Sequence, residues 1–65
     1  MMCHFIEAWY DLTQSRRVTL WQRADYCYEL SAGTKHIRWF DNMSLDDVRE
    51  FLTQNLFQKE IHNVC

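Results

Sequence analysis

The sequence predicts a small α+β fold: a four-stranded antiparallel β-meander followed by one C-terminal amphipathic helix packed on one face of the sheet. Three observations carry this. Apolar residues recur at every second position in four short stretches between residues 4 and 40, and after Ser44 the spacing becomes helical. At 65 residues, 48% hydrophobic and 15% aromatic, the chain has material for one core and no more. Pro is absent and Gly33 is the only glycine, which leaves no linker or low-complexity tract, so residues 1–65 are read as one domain.

The first strand is read at residues 4–12. There His4, Ile6, Ala8, Tyr10 and Leu12 share one face, and Cys3, Phe5, Glu7, Trp9 and Asp11 share the other. The first set lacks carboxylates and is assigned to the core. Residues 18–22 set Val18, Leu20 and Gln22 against Thr19 and Trp21, and residues 26–30 set Tyr26, Tyr28 and Leu30 against Cys27 and Glu29. In residues 35–40 the phase reverses, with Ile37 and Trp39 on the core side and His36, Arg38 and Phe40 opposite. A consistent register pairs Leu12 with Val18, Leu20 with Tyr28, and Tyr28 with Ile37. Its last turn is a two-residue Ala32-Gly33 loop, where glycine supplies the positive φ that such hairpins require. The expected core is then Tyr10, Leu20, Tyr28, Trp39, Phe51 and Leu52, with His4 partly buried beside it.

The helix has the clearest start. Ser44 fits an N-cap, Asp47 the third helical position, and Met43 a staple against Val48. Asp46 and Asp47 suit the positive end of the helix dipole. Leu45, Val48, Phe51, Leu52 and Leu56 form one stripe that faces the sheet. Phe57, Ile61 and Val64 fall off that stripe, so either the helix ends near Asn55 and the tail turns, or its last turns offer a second apolar strip.

Composition narrows function by exclusion. A formal charge of −2 and a pI near 5.8 give no global attraction to nucleic acid or anionic lipid. No apolar run is long enough to cross a bilayer, and Met1-Met2-Cys3-His4 lacks the regions of a secretory signal. A cytoplasmic location is therefore expected, with Cys3, Cys27 and Cys65 as free thiols. Cys3-His4 and His62-x-x-Cys65 offer metal-ligand atoms, but at opposite termini and without Cys-x-x-Cys spacing, so no metal or cofactor is expected. Cys27 and His36 lack a pocket and an orienting acid, and His36 is read instead as a cross-strand partner of Glu29. The acidic group Asp41, Asp46, Asp47 and Glu50 is read as part of the helix start, and no catalysis is expected.

The remaining clue is a surface. The register lines up Trp9, Trp21, Cys27 and Arg38 across the open face, with Phe5 two residues from Trp9 and Phe40 two from Arg38. Trp and Arg dominate the energetic centres of protein interfaces, whereas a tryptophan pair across strands also serves simply to stabilise a sheet. The expectation is a protein-binding module, an inhibitor or adaptor that engages a larger protein. It would use Phe5, Trp9, Trp21, Arg38 and Phe40, or the tail at Phe57 and Ile61, and form a homodimer through the same patch. The alternative is a single-stranded nucleic-acid binder that stacks bases on these rings beside Arg17, Arg23 and Arg38. Glu7, Asp11 and Glu29 on that face oppose it.

Overall fold

Branched and aromatic side chains at alternate positions favour extended backbone, and they give four strands: β1 (His4–Asp11), β2 (Arg16–Ala24), β3 (Cys27–Ala32) and β4 (Lys35–Asp41). Helix α1 (Leu45–Gln54) and a short β5 (Phe57–Lys59) follow. The computed structural model describes residues 4–60. The strands form one five-stranded sheet of order β4-β3-β2-β1-β5 with antiparallel neighbours throughout. The chain thus meanders from β1 to β4, and α1 carries it back to the β1 side. None of the described helices is long and apolar enough to cross a membrane.

The turns differ from those read in the sequence, and with them the register. Asp11 Oδ1 accepts hydrogen bonds from the Thr13 and Gln14 amides and from Thr13 Oγ1, and the β1–β2 loop is residues 12–15, closed by Asp11 opposite Arg16. Trp9 rather than Leu12 then pairs with Val18. The β2–β3 turn is Asp25-Tyr26, and with the irregularity between Gln22 and Ala24 it sets Leu20 opposite Leu30 instead of Tyr28. Ser15 at φ 52° and Tyr26 at φ 59° adopt the left-handed conformation without being glycine. At β3–β4 the glycine reading holds in substance: Gly33 has φ 63°, but the loop is Gly33-Thr34, with Ala32 opposite Lys35.

Three bulges complete the change. The register shifts between Phe5 and Glu7 in β1, between Gln22 and Ala24 in β2, where Arg23 is the extra residue, and between Leu30 and Ser31 against β4, where Ile37 is the extra residue. Tyr28 accordingly pairs with Phe40 and Leu30 with Arg38. From Glu7 onward in β1 and from Arg38 onward in β4, the faces are reversed from expectation. The core is Trp9, Val18, Leu20, Tyr28, Leu30 and Phe40 from the sheet, with Val48 and Leu52 from α1. Tyr10, Leu12 and Trp39, expected inside, are exposed, and so is His4. Trp9 and Phe40, expected outside, are buried.

Glu7 and Asp11 had argued against burying that face of β1, yet both are buried. Each is buried with partners, which is what a carboxylate in a core requires. Glu7 Oε2 accepts from Trp9 Nε1 at 2.8 Å and from Arg49 Nε at 3.1 Å, and Arg49 Nη2 bonds Oε1 at 2.8 Å. Lys59 Nζ stands 3.7 Å from the same oxygen. One carboxylate of β1 therefore ties down both α1 and β5. Asp11 holds its own turn and lies 3.6 Å from Arg16 Nε.

The helix follows its sequence. Ser44 Oγ accepts from the Asp47 amide at 3.2 Å, Val48 and Leu52 are fully buried, and Met43, Leu45 and Phe51 pack around them. The Asn55 amide donates to the Leu52 and Phe51 carbonyls, and Leu56 at φ 66° turns the chain out of the helix. Of the two readings of the tail, the turn is correct. Leu56 consequently leaves the apolar stripe for solvent, while β5 pairs Phe57 with Asp11 and Lys59 with Trp9.

Candidate functional site

Helix α1 covers one face of the sheet, and the other is open. Across that open face, the register aligns Phe5 of β1, Trp21 of β2, Glu29 of β3 and Trp39 of β4 in a single row. The neighbouring row brings Thr19, Ser31 and His36 together. Phe5 and Trp39, at the two ends, are 55% and 47% exposed, whereas Glu29 between the tryptophans is only 8% exposed.

Glu29 organises the patch. Arg23 Nε donates to its Oε1 at 2.7 Å, and His36 Nδ1 lies 2.7 Å from its Oε2. The His36 hydrogen bond above all, then Arg23, holds the carboxyl below its ordinary range, although burial pulls the other way. Its two partners in turn touch the rings: the His36 ring lies 5.1 Å from that of Trp39, and the Arg23 guanidinium stands 5.7 Å from the Trp21 centroid. Trp21 Nε1 donates to Ser31 Oγ at 3.1 Å, and Phe5 meets Trp21 edge-on at 6.0 Å. The rings are thus fixed by polar contacts beneath them while their outer surfaces stay accessible. Such a surface can stack or pack, and its buried charge is already balanced within the chain.

No family model matches the chain, and no curated protein or solved structure matches it.

Phe5 and Trp21 are where the sequence placed them, on the open face. The other four described residues of the expected site are elsewhere. Trp9 and Phe40 are core residues, and Phe57 is half-buried against that core. Arg38 lies on the helix side, its guanidinium 5.0 Å from the Phe40 ring and 4.4 Å from that of Phe51. Ile61 lies outside the described residues, as do Cys3, His62 and Cys65. Trp39 is the residue missed. The β4 bulge moves it to the open face, and apolar residues on both sides of β4 leave no alternation from which to read the bulge.

The other candidate groups separate. Cys27 Sγ contacts Asp41 Oδ1 at 3.3 Å, and that carboxylate pushes the thiol up, while His36 is engaged by Glu29 as the sequence indicated. Among the described residues no cluster of His, Cys, Asp and Glu has metal-binding geometry.

Proposed function

We propose that the protein is a cytoplasmic, non-catalytic binding module, a small inhibitor or adaptor that engages a larger protein through Phe5, Trp21 and Trp39. The observation that carries this reading is the row of exposed rings on the uncovered face, set around a carboxylate neutralised by its own chain. Large apolar patches on small domains mark interaction sites, and aromatic residues with a nearby arginine supply most interface energy. Because the Arg23 charge already pairs with Glu29 and His36 hydrogen-bonds it, a partner covers the patch without supplying a counter-charge. The free thiol of Cys27 suits a reducing compartment.

The test is capture from a lysate followed by titration of the purified partner. Trp39→Ala and Phe5→Ala are expected to weaken binding by about 2 kcal/mol each, with little dependence on salt. A captured protein that both variants hold as firmly as the wild type defeats the reading. A second copy of the chain also fits the face, as a homodimer. Sedimentation at micromolar concentration is then expected to give a dimer that Trp39→Glu converts to monomer.

One observation favours single-stranded nucleic acid as a second reading. Glu7 and Asp11, which had opposed it, are buried and partnered, with Glu7 bound by Arg49 beneath α1. Arg23 and His36 remain beside the rings. Tight oligonucleotide binding with a steep salt slope would put this reading first.

A further inference from the structure

We infer that β4 accepts an extended acidic segment of a partner protein as an added strand, with Arg38 as its charge anchor. The surface is the outer edge of β4, which shares Trp39 with the open face but neither Phe5 nor Trp21, and the proposal is tested separately from that reading.

The edge comes first. Lys35–Asp41 is an outermost strand, paired only with β3 among the described residues, while β5 occupies the opposite edge beside β1. Alternate residues of such a strand direct N–H and C=O groups away from the sheet, where another chain can bond them.

Charge then selects the occupant. The Arg38 guanidinium is held at the seam between β4 and α1 by the faces of Phe40 and Phe51, at 5.0 and 4.4 Å. Among the described residues no carboxylate pairs with it, and none pairs with Lys35 at the start of the strand. This differs from Arg16, Arg17, Arg23 and Arg49, each of which has a carboxylate within 4 Å. Stacking on two rings fixes the position of the Arg38 charge without using its N–H donors on a carboxylate. A cation on an edge strand discourages pairing with like strands and favours a strand that brings the opposite charge.

A second copy is the competing occupant, because antiparallel pairing of two β4 strands over residues 38–41 would set Arg38 against Asp41 of the other copy; dimerisation through β4 is therefore an outcome that the test separates. A segment alternating acidic with apolar residues meets both sides of the edge. Its carboxylates reach Arg38 on the helix side, and its apolar residues lie beside Trp39 on the open side. The Ile37 bulge limits regular pairing to the stretch from Arg38 onward.

The probe is a fluorescein-labelled heptapeptide of alternating valine and glutamate, read by anisotropy and by amide chemical shifts on the full chain. It is compared with the same peptide carrying lysine for glutamate, and with a version N-methylated at alternate residues. The glutamate peptide is expected to bind roughly tenfold tighter than the lysine peptide, the size of one well-formed charge pair. N-methylation and Arg38→Gln are each expected to reduce binding about as much. Lys59→Gln, which removes the same charge at the opposite edge, is expected to change it by less than about twofold. Shift changes are expected along β4. Equal binding of the two peptides, indifference to N-methylation, or shifts confined to Phe5 and Trp21 would each overturn the proposal. So would an oligothymidylate that binds more tightly than the peptide and displaces it, or a chain that dimerises through β4 and excludes it.

Discussion

Glu7 and Glu29 are buried carboxylates on opposite faces of the same sheet, and both are held below the ordinary glutamate range. For Glu7, burial raises the value, but the hydrogen bonds from Arg49 and Trp9 and the charges of Arg49 and Lys59 outweigh it. For Glu29 the His36 and Arg23 bonds prevail. In each case the unfolded chain binds the proton more readily. Stability from these pairs is therefore complete above the unfolded value of about 4.3 and is lost as pH falls through the lower folded values. Denaturant midpoints measured downward from pH 6 are expected to drop below about pH 4.3, and Glu7→Gln is expected to flatten that drop while lowering stability at pH 6. A midpoint equally pH-dependent in the variant would assign the acid sensitivity elsewhere. Gly33 makes a different residue-scale prediction. An added Cβ there meets nothing within 4 Å, so Gly33→Ala should cost only the left-handed conformation, about 1 kcal/mol, and Gly33→Asn less. The Glu29–His36 pair and the Gly33 turn were legible because one needs opposite polarity on adjacent strands and the other a residue without Cβ. The Glu7 site was not. A carboxylate between Ile6 and Ala8 reads as an exposed position, and its partner Arg49 lies far along the chain.

At the scale of elements, α1 depends on its cap and on two fully buried residues. Ser44→Ala removes the acceptor for the Asp47 amide and is expected to cost about 1 kcal/mol in thermal or chemical denaturation. Leu52→Ala, at a site without solvent exposure, is expected to cost about 2–5 kcal/mol. A smaller loss at Leu52 than at Ser44 would mean that the helix is held by its end rather than by its face. These features were readable because capping and helical spacing are local. The strands were readable as strands, but the faces of β1 and β4 were not, since bulges at Ile6 and Ile37 shift the alternation and no residue type demands a bulge. Ser15 and Tyr26 take the left-handed conformation that glycine would have advertised. The candidate site inherited this error: Phe5 and Trp21 remained, Trp9 and Phe40 went inward, and Trp39 replaced them. Tryptophan emission offers a direct check. Acrylamide is expected to quench the wild type strongly, and Trp39→Phe should remove most of the accessible fraction, because Trp9 is buried and Trp21 partly covered.

For the whole molecule, the sequence of contacts matters as much as their number. The hairpins from β1 to β4 join neighbours in the chain, whereas β5 returns to β1 and sets Lys59 opposite Trp9. The Leu12 amide bonds the Leu56 carbonyl at 3.1 Å, and the Glu60 amide bonds the Ala8 carbonyl at 3.0 Å. Local hairpins close quickly, while pairing between distant segments pays a larger loop entropy first. During synthesis β1 is made before β5, so its outer edge stays unprotected until residues 57–60 have left the ribosome. Until then the nascent chain carries an open strand edge next to Trp9, the condition under which chains pair with one another. The last few residues before Ile61 thus act as the clasp that ends this vulnerable interval. A chain stopped after Gln54 should keep its meander and aggregate, and a stalled ribosome holding back β5 should be a better chaperone substrate than one that has released it.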